Sequence, residues 1–433
     1  MKTQITLSRW FTAAAIGAML LQVAFVSPST STQGQEQALI ELSDDIPDIS
    51  ALLTGDPTVP WSVQVGSTGT QIFDIGTDTS GNVYVTGTVF SASDQDAFVA
   101  KMDINGNILW NYSFEGMTSD VSSGIELDPS GNVFVTGGFR ENNATSGTPR
   151  DIFLARFSND GSLLWKTTWG AANRTDGGNE LALDEMGNIY ITGASNASWG
   201  SPIRPHSLGF FDAFAAKFDK DSGALIWNTF LGENLVGSGL GIEADPSGNV
   251  YITGYSYVLT QGSNTSQNAF VAGLNTNGGL LWYTALGTTG LPDISLDIAL
   301  DETENIYVTG ESRASWGAPL KPFSGEWDVF VAKLTSSGSL QWNTFVGGNG
   351  SDFADGIDVD DTGNIYLTGS SSNTWGSPFS SGTGDPQEVF SAKLESNGTL
   401  AWNTFILGTH PSAHGAGHNV IAVQDGSIYV ANH

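Results

Sequence analysis

The chain has 433 residues, 45 acidic against 15 basic side chains, a formal net charge of -30 and no cysteine. Such a charge excludes the basic face that nucleic acid or an anionic membrane surface requires, and the missing thiols exclude a disulfide framework, a cysteine metal site and a thiol nucleophile. With 54 glycines it reads as a turn-dense protein held by packing and strand ladders, favouring cations and basic partners.

At the N-terminus, Lys2 and Arg9 flank an apolar stretch from Trp10 to Val26, and a polar segment from Ser27 to Gln37 follows. That order reads as the n-region, h-region and exit of a secretory signal. Residues 1–35 are therefore expected to be a signal peptide, and the chain to be exported to the periplasm, cell surface or medium. The stretch is long and lacks a clean A-x-A site, so an uncleaved membrane anchor is the alternative. Residues 36–60 read as an acidic linker with Asp44, Asp45, Asp48 and Asp56 and the prolines Pro47, Pro57 and Pro60.

From residue 61 to the C-terminus one unit recurs, ending six times in an apolar run capped by tryptophan: Trp110, Trp165, Trp227, Trp282, Trp342 and Trp402. In the fourth unit the β-branched and aromatic runs predict strand A at 241–245, B at 249–254, C at 268–274 and D at 279–286. These runs are apolar on both faces, so each sheet needs cover on both sides. The expectation is an all-β chain, a β-propeller of four-stranded antiparallel blades. Six complete sets run from Ile72 to Phe405, two strands of a seventh follow at 419–423 and 427–432, and Trp61 to Gly66 sits in the register of a D strand. Seven blades are expected, the last closed by that N-terminal strand so that no edge stays open. Strand C of that blade is unassigned, and truncation through Gln37 is expected to be harmless.

Two motifs recur in register. A DxxGN turn stands at Asp78/Asn82, Asp128/Asn132, Asp184/Asn188, Asp245/Asn249 and Asp360/Asn364, and without its glycine at Asp301/Asn305. A D-x-F-x-A-K strand stands at Asp96/Lys101, Asp151/Arg156, Asp212/Lys217, Asp328/Lys333 and, with glutamate, Glu388/Lys393. Residues shared by nearly every unit belong to architecture; the rival reading of the turn is calcium ligation by its oxygens, without the terminal glutamate of an EF-hand. In these segments, DPSGNVYITG, DAFVAKM, DVFVAKL and GSLLW followed by KTTW, the chain resembles the bacterial SBBP β-propeller repeat family. The resemblance implies the propeller fold and an extracytoplasmic, often multidomain protein. It brings no catalytic residue.

Antiparallel order puts A-to-B and C-to-D hairpins on one face and the more variable B-to-C and D-to-A loops on the other, where function in ring folds concentrates. Three B-to-C loops carry a tryptophan, at Trp199, Trp316 and Trp375. They read either as staples packing the ring or as exposed stacking platforms for a glycan or peptide. His410, His414 and His418 cluster in the loop entering the last blade, with donors suited to zinc, nickel or copper, although Pro411, Gly415 and Gly417 oppose the helix that would align them. Asp120, Asp176, Asp293, Asp352 and Asp355 stand near the starts of inner strands and would form a cation site if several faced the axis. No Ser-His-Asp order, HExxH or phosphate-binding glycine loop is present.

The reading is an exported interaction module binding an extracellular protein or polysaccharide through the loop face, with no cofactor, nucleic acid or membrane span in the mature chain. The alternative is a metal-dependent hydrolase or lyase at the channel mouth, using Ca2+ or a transition metal held by the histidines or by Asp352 and Asp355.

Overall fold

The computed structural model describes residues 22–26, 62–63, 70–90, 95–114, 120–140, 150–207, 210–232, 235–258, 267–381, 388–409, 420–422 and 428–432, and these are all-β. Two short N-terminal strands, β1 (Gln22–Val26) and β2 (Ser62–Val63), precede six blades of four consecutive antiparallel strands. Blade 1 holds β3 (Thr70–Thr77), β4 (Val83–Phe90), β5 (Gln95–Met102) and β6 (Ile108–Ser113). Blade 2 holds β7 (Val121–Leu127), β8 (Val133–Phe139), β9 (Asp151–Phe157) and β10 (Leu163–Trp169). Blade 3 holds β11 (Asp176–Leu183), β12 (Ile189–Ser195), β13 (Asp212–Phe218) and β14 (Leu225–Phe230). Blade 4 holds β15 (Leu235–Ala244), β16 (Val250–Val258), β17 (Gln267–Leu274) and β18 (Leu280–Leu286). Blade 5 holds β19 (Asp293–Leu300), β20 (Ile306–Ser312), β21 (Asp328–Leu334) and β22 (Leu340–Val346), and blade 6 holds β23 (Asp352–Val359), β24 (Ile365–Ser371), β25 (Glu388–Leu394) and β26 (Leu400–Thr409). Last come β27 (Val420–Ala422) and β28 (Ile428–Asn432).

The core lies between blades. The two middle strands of each blade are buried on both faces, as in β8 and β24, because each blade is sandwiched between two others. One cluster joins Tyr307 and Val331 of blade 5 to Ile365 and Phe390 of blade 6, and each interface repeats that mixture. Along the inner strands β3 packs on β7, β7 on β11, β11 on β15, β15 on β19 and β19 on β23. A bulge interrupts every inner strand near its middle, as at Ile72/Asp74 and Ser122/Gly124, and supplies the local bend that narrows the strands towards the axis.

The tryptophans that mark the repeat clamp one blade to the next. Trp110, Trp227 and Trp282 each donate their indole N–H to a carbonyl in the following blade's C-to-D turn, at Asn159, Thr276 and Ser336, over 2.8–3.1 Å. The turn glycine beneath the ring, Gly278 under Trp227 for example, has φ +76° and no room for a Cβ against the indole. Glycine is needed there twice over, for positive φ and for close approach.

Six blades are built, against the expected seven. The chain ends form a smaller sheet in the order β2-β1-β28-β27, with β27 touching β23, β24 and β3. Ser62–Val63 is its outermost strand, within the segment assigned to that place. The third position is filled by Gln22–Val26, opposite Ile428 to Asn432, and not by the linker. These residues lie inside the stretch read as an export signal, which the strand and the signal reading now share.

Candidate functional site

The recurrent turn is saturated by its own protons. In blade 5, Asp301 Oδ1 accepts the N–H groups of Thr303 and Asn305, and Oδ2 accepts Asn305 Nδ2 at 2.7 Å and the Tyr307 hydroxyl at 3.0 Å. Burial acts to raise this carboxyl, yet those donors outweigh it and draw the pKa down to about 2. The lysine of the D-x-F-x-A-K strand completes the unit: Lys101, Arg156, Lys217, Lys333 and Lys393 lie 3.5–3.9 Å from the turn aspartates of their own blades. Four of them also sit over the ring of the intervening tyrosine. An aspartate occupied by donors and a cation on every side is a strand fastener and offers a calcium ion no free oxygen.

Along the axis the inner strands enclose a cavity of about 230 Å3, into which each of the six blades contributes one carboxylate: Asp74, Glu126, Glu180, Glu243, Asp297 and Asp358. Blades 1, 3 and 5 place the acid four residues before the turn aspartate, with Gly76, Ala182 or Ala299 two residues later. Blades 2, 4 and 6 reverse this, with Gly124, Gly241 or Gly356 first and the acid second. Alternation makes two layers of three, which keeps six like charges from sharing one plane. Each acid is held by the N–H of the residue after it. Asp74 and Asp297 also accept Ile125 and Ile357 N–H of the next blade at 2.7 and 2.9 Å. Burial, reinforced by neighbouring acids, raises Glu126 to about 8 and Glu180 and Glu243 well above the usual range; burial alone takes Asp297 to about 6.

These are not the acids expected at the axis. Asp176, Asp293 and Asp352 are buried loop anchors, each bonded to a serine hydroxyl at the end of the second strand (Ser195, Ser312, Ser371) and to a backbone N–H of its own loop. Asp120 is buried and bonded to Arg140 N–H at 3.3 Å. Burial raises Asp352 to about 6, and it drives Asp355 well above the usual range with help from Glu311. The cation site expected from these five residues is therefore not assembled. Among the described residues no group of three or more His, Asp or Glu is placed to hold a metal ion. His410, His414 and His418 lie outside the described residues.

The loop tryptophans are buried. Trp199, Trp316 and Trp375 are 4%, 7% and 5% exposed, edge-on to Phe214, Phe330 and Phe390 at 5.2–5.4 Å. As stacking platforms they are corrected by this burial: no indole face is presented to a ligand. Each tryptophan carbonyl accepts Nδ2 of an asparagine in the outermost strand of its own blade, Asn228, Asn343 or Asn403. The chain beyond then runs along that strand's outer edge, with Ile203 N–H donating to Asn228 O and Phe230 N–H to Arg204 O. Leu320, Lys321, Phe379 and Ser380 do the same in blades 5 and 6. The insertion covers an open sheet edge. Its signal in the sequence is the pairing of SWG or TWG loops with WNTF in the same blades, at Trp227, Trp342 and Trp402.

The loops expose two adjacent aromatic residues among their polar ones. Phe210 is 58% and Phe211 40% exposed at the end of the blade 3 insertion, beside His206, whose Nε2 lies 2.6 Å from Phe210 O.

A curated relative, the uncharacterized WD repeat-containing protein L264 of Acanthamoeba polyphaga mimivirus, is 24% identical over 89% of this chain, and the chain spans about a quarter of its length, 26%. Among solved structures, a polysaccharide lyase of the PL25 ulvan lyase family aligns over 80% of this chain and 84% of its own, with TM-score 0.46 and 11% identity. A protein of unknown function from Dyadobacter fermentans aligns over 75% and 94%, with TM-score 0.42 and 10% identity. Sqt1 of Chaetomium thermophilum aligns over 84% and 95%, with TM-score 0.43 and 10% identity. Among the described residues no helix is long and apolar enough to cross a membrane. The family model for SBBP, the beta-propeller repeat, matches residues 61–88, so the chain carries that repeat over the segment that holds the DxxGN turn at Asp78/Asn82.

Proposed function

We propose that this chain is an exported interaction module that binds an extracellular protein or polysaccharide through its B-to-C and D-to-A loop face, on a propeller that its terminal sheet closes as a seventh blade. The observation that carries the reading is the contrast between faces. Hairpin turns on one side repeat from blade to blade and are internally saturated, whereas the other side varies and presents Phe210 and Phe211 on a segment anchored by Trp199. Exposed aromatics on a rigid support lose little entropy on binding and suit the centre of a recognition surface. The test is a protein and glycan binding screen with the parent and a Phe210→Ala, Phe211→Ala variant. Capture should be lost with the melting transition unchanged; capture undiminished in the variant refutes the loop-face assignment. The competing reading, a metal-dependent hydrolase or lyase, rests on His410, His414 and His418, and metal analysis with and without chelator decides it.

A further inference from the structure

The outer edge of the outermost strand is treated in two ways around the ring. In blades 3, 5 and 6 the chain's own insertion covers it, and the residues beneath, Phe230, Phe345 and Phe405, are buried. In blade 4, Tyr283 and Ala285 occupy the positions of Asn228 and Phe230, opposite Ala272 and Phe270, and Ala285 is exposed. Among the described residues nothing bonds the outward-facing Tyr283 carbonyl or Ala285 N–H. The blade interior is nonetheless complete. Tyr283 stacks on Phe270 at 5.2 Å and shares a hydrogen bond with Ser256, filling from the strand itself the place that Trp199 takes on Phe214.

The covered blades show what fits. Their edge segments read Pro202-Ile203-Arg204-Pro205 in blade 3, Pro319-Leu320-Lys321-Pro322 in blade 5 and Pro378-Phe379-Ser380 in blade 6, so proline followed by an apolar residue is common to all three and the basic residue to blades 3 and 5. Lys321 Nζ donates to Gly347 O at 2.8 Å, beside Asp352, which accepts the Gly348 N–H. Blade 4 offers the same address, Gly287 followed by Thr288, whose N–H is accepted by Asp293. We propose that the outer edge of β18 binds an extended segment of a partner protein of the pattern proline, aliphatic, basic, added as a further strand whose backbone pairs with Tyr283 and Ala285 and whose cation reaches Gly287 O. Main-chain bonds supply the attachment and the side-chain pattern the selectivity, and a chain of net charge -30 favours the basic residue. This edge lies on the perimeter, so the proposal stands whether or not the loop face binds a ligand.

The probe is a fluorescent hexapeptide, Ala-Pro-Leu-Lys-Pro-Phe, the sequence of residues 318–323, titrated against the full chain by anisotropy. Saturable binding is expected, weakened about tenfold or more, 1.4 kcal/mol, by Ala285→Pro and by glutamate in place of the peptide's lysine. Ala285→Ser should bind as the parent does. Proline at an edge whose N–H faces solvent leaves the ladder intact. Slowed hydrogen exchange at the Ala285 amide of the unaltered protein gives a second readout should that variant misfold. Absence of saturable binding, or equal binding by the proline variant with unslowed exchange, overturns the proposal. So does a parent dimer that becomes monomeric on Ala285→Pro, since a second copy would then be the occupant.

Discussion

Trp316 and Asn343 show how a single residue pair fixes a loop. The indole is buried against Phe330 and Phe345, and its carbonyl takes the Asn343 amide at 3.0 Å. Trp316→Ala should cost about 3–5 kcal/mol in denaturant melts, the range for emptying a large aromatic site. Asn343→Ala, which strands a buried carbonyl, should cost about 1–3 kcal/mol. The double variant should lose less than the sum, because both act through one loop. A loss below about 1 kcal/mol for Trp316→Ala would place the indole outside the core. At this scale the sequence displayed the residues but left their role open. SWG in a loop is compatible with exposure or burial, and the asparagine that decides between them lies 27 residues away, in a strand whose relation to the loop is tertiary.

Among the elements, the strand at Gln22–Val26 departs furthest from the reading of the sequence. Its apolar run fits a signal's h-region as well as a strand beside Ile428–Asn432, since both need an unbroken apolar stretch and neither leaves a periodic signature in five residues. The two roles make opposite predictions. Removing residues 1–21 should leave the melting transition unchanged, whereas removing residues 1–37 deletes the partner of β28 and β2 and should lower it and promote aggregation through the opened edge. Light scattering and thermal melts of the two truncations check this; equal behaviour would mean that β1 contributes nothing to the fold. N-terminal sequencing of the protein recovered from cells expressing the full chain reads the other side, because cleavage after Val26 would remove the strand.

For the whole molecule the axial carboxylates set a pH dependence. Groups raised above their unfolded values, Glu126 to about 8 and Asp297 to about 6, contribute stability that is complete below the unfolded carboxylate pKa and lost as pH rises through 6 to 8. The turn aspartates work in the opposite window: Asp301, lowered to about 2, contributes above the unfolded value and loses this as pH falls towards 2. The melting temperature should therefore peak near the pH where carboxylates titrate in the unfolded chain and decline from pH 5 to pH 8. Glu126→Gln with Glu243→Gln should raise the value at pH 8 and flatten the slope. A melting temperature that climbs between pH 5 and pH 8 would contradict the assignment.

The sequence by itself determined the blade. The tryptophan recurs six times and the DxxGN turn and the D-x-F-x-A-K strand five times each, all of them local patterns, and each predicted strand of the fourth unit lies within its observed strand or a few residues of its ends. Repetition supplied what a single copy could not, by separating shared residues from individual ones. The axial acids were also present in the sequence, as an alternation between four and two residues before the turn aspartate, but choosing them over Asp176 or Asp352 required the direction of each side chain, which the bulge in every inner strand sets. Only the tertiary structure decided burial of the loop tryptophans, cover of three sheet edges and exposure of a fourth, and the strand that completes the terminal sheet. All of these depend on which distant segments meet, and a local pattern carries no record of its distant partner.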